Sequence, residues 1–243
     1  GCGVHRSRRL WLRARPHPVC SQQAQTCGAA PGGSEGGIGL AAEWLDGGRL
    51  GQVFGIRAPG GILSTQAAQV DAYRFTRGLA WRLHQACLRV LDGAELAAVE
   101  PVSAGVVLQK ARGHAVRARH VVLCTGYETQ RWCPQRVARN RSSYAMVTDS
   151  LPRFPPAWRR LLLWESARPY LYARSTSDGR MTVGGEDNAV DIPARRDKRL
   201  NRKARRLREK MQALFPAELP ATAVCWTGTF WPISFPLFQG SWC

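Results

Sequence analysis

Cys124-Thr125-Gly126 closes an apolar run that opens at Arg119. A basic lead-in, a buried stretch and then small-Thr-Gly is the pattern by which a parallel strand delivers bare backbone to a dinucleotide. Glycine there lets a phosphate or ribose approach the chain closely. Such a strand ordinarily returns to a sheet begun by a strand–GxGxxG–helix unit, and none precedes it in this sequence. The glycines at 28, 32, 33, 36, 37, 39, 47 and 48 follow CSQQAQTC rather than an apolar strand, so they read as a flexible loop and not a phosphate cradle. Histidines 5, 17, 84, 114 and 120 form no base–nucleophile pattern, and His84 and His120 read as surface or packing residues. The eight cysteines make no CxxC and have no histidine at a zinc-finger offset, which leaves no metal site. They read as reduced thiols of a cytoplasmic protein, with Cys124 a small buried apolar side chain.

A second chemistry comes from charge. The 243 residues carry a net charge of +18, which invites an anionic partner. Arg195–Lys210 concentrates ten Lys or Arg against two acids and leaves one apolar stripe, Leu200, Leu207 and Leu214. On a helix that surface could neutralise several phosphates, so a basic nucleic-acid-binding module without catalytic activity is the alternative reading. Aromatic residues that would stack on bases are missing from the window. A solvated outer helix face is the simpler account. Apolar content of 44% is ordinary for a globular chain, and no stretch of about 20 apolar residues could cross a membrane as a helix. The Arg-rich first residues hint at a transit peptide, but Pro16 and Pro18 interrupt any amphipathic presequence.

The elements that would hold such residues become legible after Val53. Phe75, Leu79, Leu83 and Ala86 recur about one turn apart, predicting a helix over Asp71–Cys87. Short strands follow at Val90–Leu91, Glu95–Glu100, Gly105–Lys110 and Ala115–Arg117, broken by turn-forming dipeptides. His120–Cys124 reads as a strand buried on both faces. Ser143–Thr148, Leu161–Trp164, Tyr170–Arg174 and Arg180–Gly184 alternate polar with apolar, with a hairpin turn at Ser177-Asp-Gly, and predict an antiparallel sheet. A helix over residues 194–215 closes at Phe215-Pro216. The fold class is therefore α/β with an α+β second half.

With these elements in order, the runs FGIRAPGGILSTQAAQVDAYRFTRGLA, VRARHVVLCTGYE, RSSYAMVTDSL, WESARPYLYARSTSDGRMTVGGED and VCWTGTF resemble the FAD-dependent amine and amino-acid oxidoreductases, a group that includes D-amino acid dehydrogenases, glycine and sarcosine oxidases, and gamma-glutamylputrescine oxidase. The resemblance spans Val53–Phe230. It implies a Rossmann-like FAD-binding domain beside a substrate domain built on an antiparallel or mixed sheet. It also implies oxidation of an amine or amino acid by hydride transfer to flavin. By the same resemblance Leu96 stands where backbone meets the adenine edge, and Cys124, Thr125 and Gly126 stand where the chain passes the dinucleotide. Tyr170, Tyr172 and Arg174 match a strand facing the substrate, where phenols and an Arg fork suit a carboxylate or polar amine.

The family pattern is lost outside that span. The expected organisation is an irregular segment over 1–52, a partial FAD-binding domain over 53–140, a substrate-domain-like region over 141–230 and an aberrant tail over 231–243. Both ends read as shifted frame or truncation, which predicts an impaired member that retains FAD poorly.

Overall fold

In a computed structural model of the chain, the alternating strands after Arg141 form one broad mixed sheet. The structure describes residues 5–12, 42–132, 140–166, 169–189 and 192–230. The glycines between 28 and 39, Cys133 and the tail from 231 lie outside them. In chain order the elements are β1 (His5–Leu12), β2 (Ala42–Asp46), α1 (Gly47–Phe54), β3 (Gly60–Gln69), α2 (Ala72–Gln85), β4 (Leu96–Val102), β5 (Gly105–Lys110), β6 (Ala115–Ala118), β7 (Arg141–Thr148), β8 (Leu161–Glu165), β9 (Leu171–Ser175), β10 (Met181–Asn188), α3 (Pro193–Asp197), α4 (Leu200–Leu214) and β11 (Thr222–Phe230). They fall into two compact units, one containing Asp71–Val137 and the other joining Val4–Val70 to Ala138–Cys243.

Among the described residues the larger unit is an eight-stranded sheet in the order β11-β7-β10-β9-β8-β1-β3-β2. All neighbours are antiparallel except β1 and β8, which run parallel with Leu10 opposite Leu163. Period-two alternation sends Tyr144, Met146, Leu161, Leu163, Leu171 and Val183 to one face, where they are buried. Leu207 and Met211 of α4 and Leu50 and Phe54 of α1 cover that face. Each such side chain contributes about 1.5–3 kcal/mol when fully buried. Trp158 locks the layer by donating its indole N–H to the Phe54 carbonyl at 2.8 Å and meeting Phe215 edge-on at 4.9 Å. The strand over His5–Leu12 and the helix over Gly47–Phe54 stand in the region that reads as irregular in sequence.

The smaller unit holds α2 and a three-stranded antiparallel sheet, β4-β5-β6. Asp71 caps α2 by accepting from the Arg74 amide at 3.0 Å, as its position before the apolar stripe suggests. The stripe forms but faces outward: no residue of α2 is buried, and Tyr73 and Trp81 are 69% and 63% exposed.

Two expected strands are corrected. His120–Cys124 has no regular structure, and neither has Val90–Leu91. Val122 is 83% exposed, and Cys124 is exposed rather than buried. An apolar run becomes a strand only where another backbone satisfies its N–H and C=O groups, and no described strand pairs with either run. The helix expected over 194–215 divides into α3 and α4, with Pro193 opening the first and the Arg199 turn separating them.

Candidate functional site

The face of the large sheet opposite α4 carries the other half of the alternation. Strand register brings Trp226, Ala145, Gly184, Tyr172 and Trp164 into a single cross-strand row. The neighbouring row runs Val224, Val147, Thr182, Arg174 and Leu162. The middle of the first row is therefore floored by an alanine and a glycine, with aromatic side chains on both sides. Two of these rings meet a third from Tyr170, just before β9: Trp164 stacks on Tyr170 at 5.3 Å and lies 5.6 Å from Tyr172, with the two tyrosines 6.2 Å apart. Offset aromatic pairs at these separations are mutually stabilising and rigid.

Two glycines seat the cluster. A Cβ on Gly184 would collide with the Tyr172 ring, and one on Gly185 with the Tyr170 carbonyl oxygen. Gly185 also holds a φ of 133°, a conformation that side chains rarely adopt. The ladder between β10 and β7 slips immediately after, between Gly185 and Asn188. Glu186, at a φ of 55°, uses this bulge to turn its side chain back toward α4.

There Glu186 is 2% exposed and surrounded by cations: Lys203 Nζ at 3.0 Å, Lys210 Nζ at 2.7 Å and Arg206 at 3.8 Å. Burial by itself would push this carboxyl up. The hydrogen bonds from Lys210 and Lys203, with their charges, prevail and hold it below the usual carboxylate range. Lys203 also lies 5.5 Å from the centre of the Tyr144 ring. Lys210 goes on to donate to the Pro169 carbonyl at 3.0 Å, next to Tyr170.

The residues singled out from sequence are placed as follows. Tyr170, Tyr172 and Arg174 occupy positions i, i+2 and i+4 of one extended segment and share the open face. The tyrosines join Trp164; Arg174 is exposed and has no hydrogen-bond or ion-pair partner among the described residues. In the smaller unit Leu96 begins β4 and is half-buried opposite Lys110. Cys124 and Thr125 are exposed, with Thr125 Oγ1 2.9 Å from Thr129 Oγ1, and Gly126 opens a 3-10 turn at a φ of 60°. Nothing lies within 4 Å of where a Gly126 Cβ would stand, so the turn is open to its surroundings. Sequence reasoning missed Trp164, the Gly184-Gly185 pair and the cations around Glu186. Lys203, Arg206 and Lys210 recur at helical spacing, which was the available signal.

The sequence model of the FAD dependent oxidoreductase family matches residues 1–239. The chain belongs to that family. The match runs through residues 1–52 and 231–239 and so corrects the expectation that the family pattern is lost there. No curated protein matches the chain. Among solved structures it is similar to glycine oxidase from Geobacillus kaustophilus, with a TM-score of 0.71 at 16% identity, covering 94% of this chain and 60% of that one. L-proline dehydrogenase from P. horikoshii gives 0.69 at 10% identity, covering 95% and 62%. L-alpha-glycerophosphate oxidase from Mycoplasma pneumoniae, solved with FAD bound, gives 0.69 at 11%, again covering 95% and 62%. At these identities the likeness establishes the fold, and the chain spans about three fifths of the length of these relatives. On the basic helix Lys203, Arg206 and Lys210 serve Glu186 and Arg208 donates to the Leu219 and Pro220 carbonyls, and nothing in the comparisons points to nucleic acid.

Proposed function

We propose that the chain takes part in FAD-dependent oxidation of an amine or amino acid, with the open sheet face receiving the substrate. The observation that carries this reading is the Trp164–Tyr170–Tyr172 cluster set one row from the unpaired Arg174, in a chain of the FAD-dependent oxidoreductase family. A protonated amine is attracted to aromatic faces, and a guanidinium fork grips a carboxylate through two parallel hydrogen bonds. Tyr172 and Arg174 lie about 7 Å apart along the strand, a span that suits a small amino acid with its carboxylate toward Arg174.

Leu96, Cys124, Thr125 and Gly126 would hold the dinucleotide, Gly126 by close backbone approach and Thr125 through its hydroxyl. When bound, FAD supplies a hydride acceptor for the carbon that bears the amine. The protein's own part is to orient that carbon and keep the aromatic wall rigid, which Gly184, Gly185 and the Glu186 cluster favour. Free thiols at Cys87, Cys124 and Cys225 support a reducing, cytoplasmic setting, and no described helix is long and apolar enough to cross a membrane.

The test is to purify the chain with FAD, record the flavin's visible absorbance, and add amines and amino acids without oxygen. Weak retention of the flavin, with bleaching of the added FAD by a carboxylate-bearing amine, is the expected result. A protein that neither holds flavin nor bleaches with any of them would overturn the reading.

A further inference from the structure

At the other end of the sheet, the start of β1 and the turn before β8 border a shallow pocket of about 190 Å³. It is lined by Arg6, Ser7, Arg8, Thr65, Arg159 and Arg160. Four arginines contribute to its lining, and none of its described lining residues is acidic. Arg8 has structural work, donating to the Ala157 carbonyl at 2.7 Å and lying 5.6 Å from the centre of the Phe54 ring. The guanidiniums of Arg6, Arg159 and Arg160 have no partner among the described residues. Like charges gathered round one concavity repel, and an anion between them turns that repulsion into attraction.

The backbone gives an independent reason to look here. Arg160 adopts a φ of 56°, unusual for any residue with a side chain. Its amide donates to Ser175 Oγ at 2.9 Å, and its carbonyl accepts from the Arg8 amide at 3.1 Å. These bonds hold the turn that presents two consecutive arginines at the pocket. Outliers of this kind, fixed by their surroundings, cluster at ligand-binding positions.

We propose that this pocket binds a phosphate-class oxyanion, carried by a small molecule or by a lipid headgroup. Planar guanidinium forks match the geometry of phosphate oxygens, and the Thr65 hydroxyl adds a further donor. Tyr170, just before β9, and Ser175, at its end, lie about 17 Å apart, so the pocket is separate from the aromatic cluster.

Calorimetric titration of the full chain with inorganic phosphate, in buffer with enough sodium chloride to screen diffuse attraction, tests the proposal. Co-sedimentation with phosphatidylcholine vesicles, with and without phosphatidic acid, tests the second source. Saturable binding should weaken about tenfold or more in Arg160→Gly and in Arg159→Ala and stay unchanged in Arg205→Ala on the exposed face of α4. Arg160→Gly relieves the positive φ and so preserves the fold, which a melting curve checks. Binding of free phosphate assigns the anion to a small molecule. Binding only to phosphatidic acid vesicles, lost in the same variants, assigns it to a headgroup. No binding to either, or an equal loss in Arg205→Ala, overturns the site.

Discussion

Lys203 Nζ donates to both the side-chain carboxylate and the backbone carbonyl of Glu186, at 3.0 and 2.9 Å. One buried ammonium thereby ties α4 to the bulge that ends β10. Removing one partner of a buried pair leaves the other charge uncompensated, at a cost of about 3–5 kcal/mol. Glu186→Ala should destabilise by that amount in urea denaturation at neutral pH. Glu186→Gly, which also relieves the positive φ, should be about 1 kcal/mol less damaging. A loss below about 1 kcal/mol for Glu186→Ala would show that the cluster is not structural.

The same carboxyl makes the fold acid-sensitive. Its folded value is held below its unfolded one, so its contribution is complete above the unfolded carboxylate range. That contribution disappears as pH falls through the folded value. Stability measured against pH should fall on the acid side, and Glu186→Gln should flatten that limb.

Glu165 works in the opposite sense. Burial pushes its carboxyl up, with Lys210 only partly opposing. Its folded value therefore lies above the unfolded one, and ionisation costs stability as pH rises through it. Glu165→Gln should stabilise the protein by about 0.5–1 kcal/mol at neutral pH, with the gain vanishing in acid. Denaturation midpoints at the two pH values read this directly, and a destabilised variant at neutral pH would contradict it.

Gly184→Ala should cost about 1–3 kcal/mol, because the new methyl meets the Tyr172 ring. Tyr172→Ala in the same chain should restore most of that loss. A double-mutant cycle measures the coupling, and strictly additive effects would mean that the ring does not sit on Gly184 in solution.

Arg174→Ala separates substrate contact from scaffold. The side chain is exposed and unpartnered, so stability should change by no more than about 0.5 kcal/mol. The KM for carboxylate-bearing amines should rise about tenfold or more, while decarboxylated amines are unaffected. Equal losses for both substrate types would remove Arg174 from carboxylate recognition.

Much of the scaffold is legible in sequence because its causes are local. Asp71 announces the start of α2, and alternation with the Asp178-Gly179 turn announces β9 and β10. The strand at His5–Leu12 was hidden by a register shift between Ser7 and Arg9, which breaks its two-residue period. His120–Cys124 misleads in the other direction, since hydrophobicity records a preference for burial and not the presence of a neighbouring strand. At the site, Tyr170, Tyr172 and Arg174 are visible as one alternating segment. Trp164 joins them only through pairing between strands, and Glu186 meets its lysines only after the bulge re-aims it. Neither relationship leaves a mark on adjacent residues.

The parallel pairing of β1 with β8 joins segments about 150 residues apart in the chain. During synthesis His5–Leu12 can meet β3 early, but its other edge has no partner until Leu161–Glu165 emerges from the ribosome. Completion of the sheet is thus a late event with a large loop to close. For that interval an adhesive strand edge stands open to other nascent chains, so yield in a cell should depend on chaperone supply and translation speed more than on the stability of the finished protein.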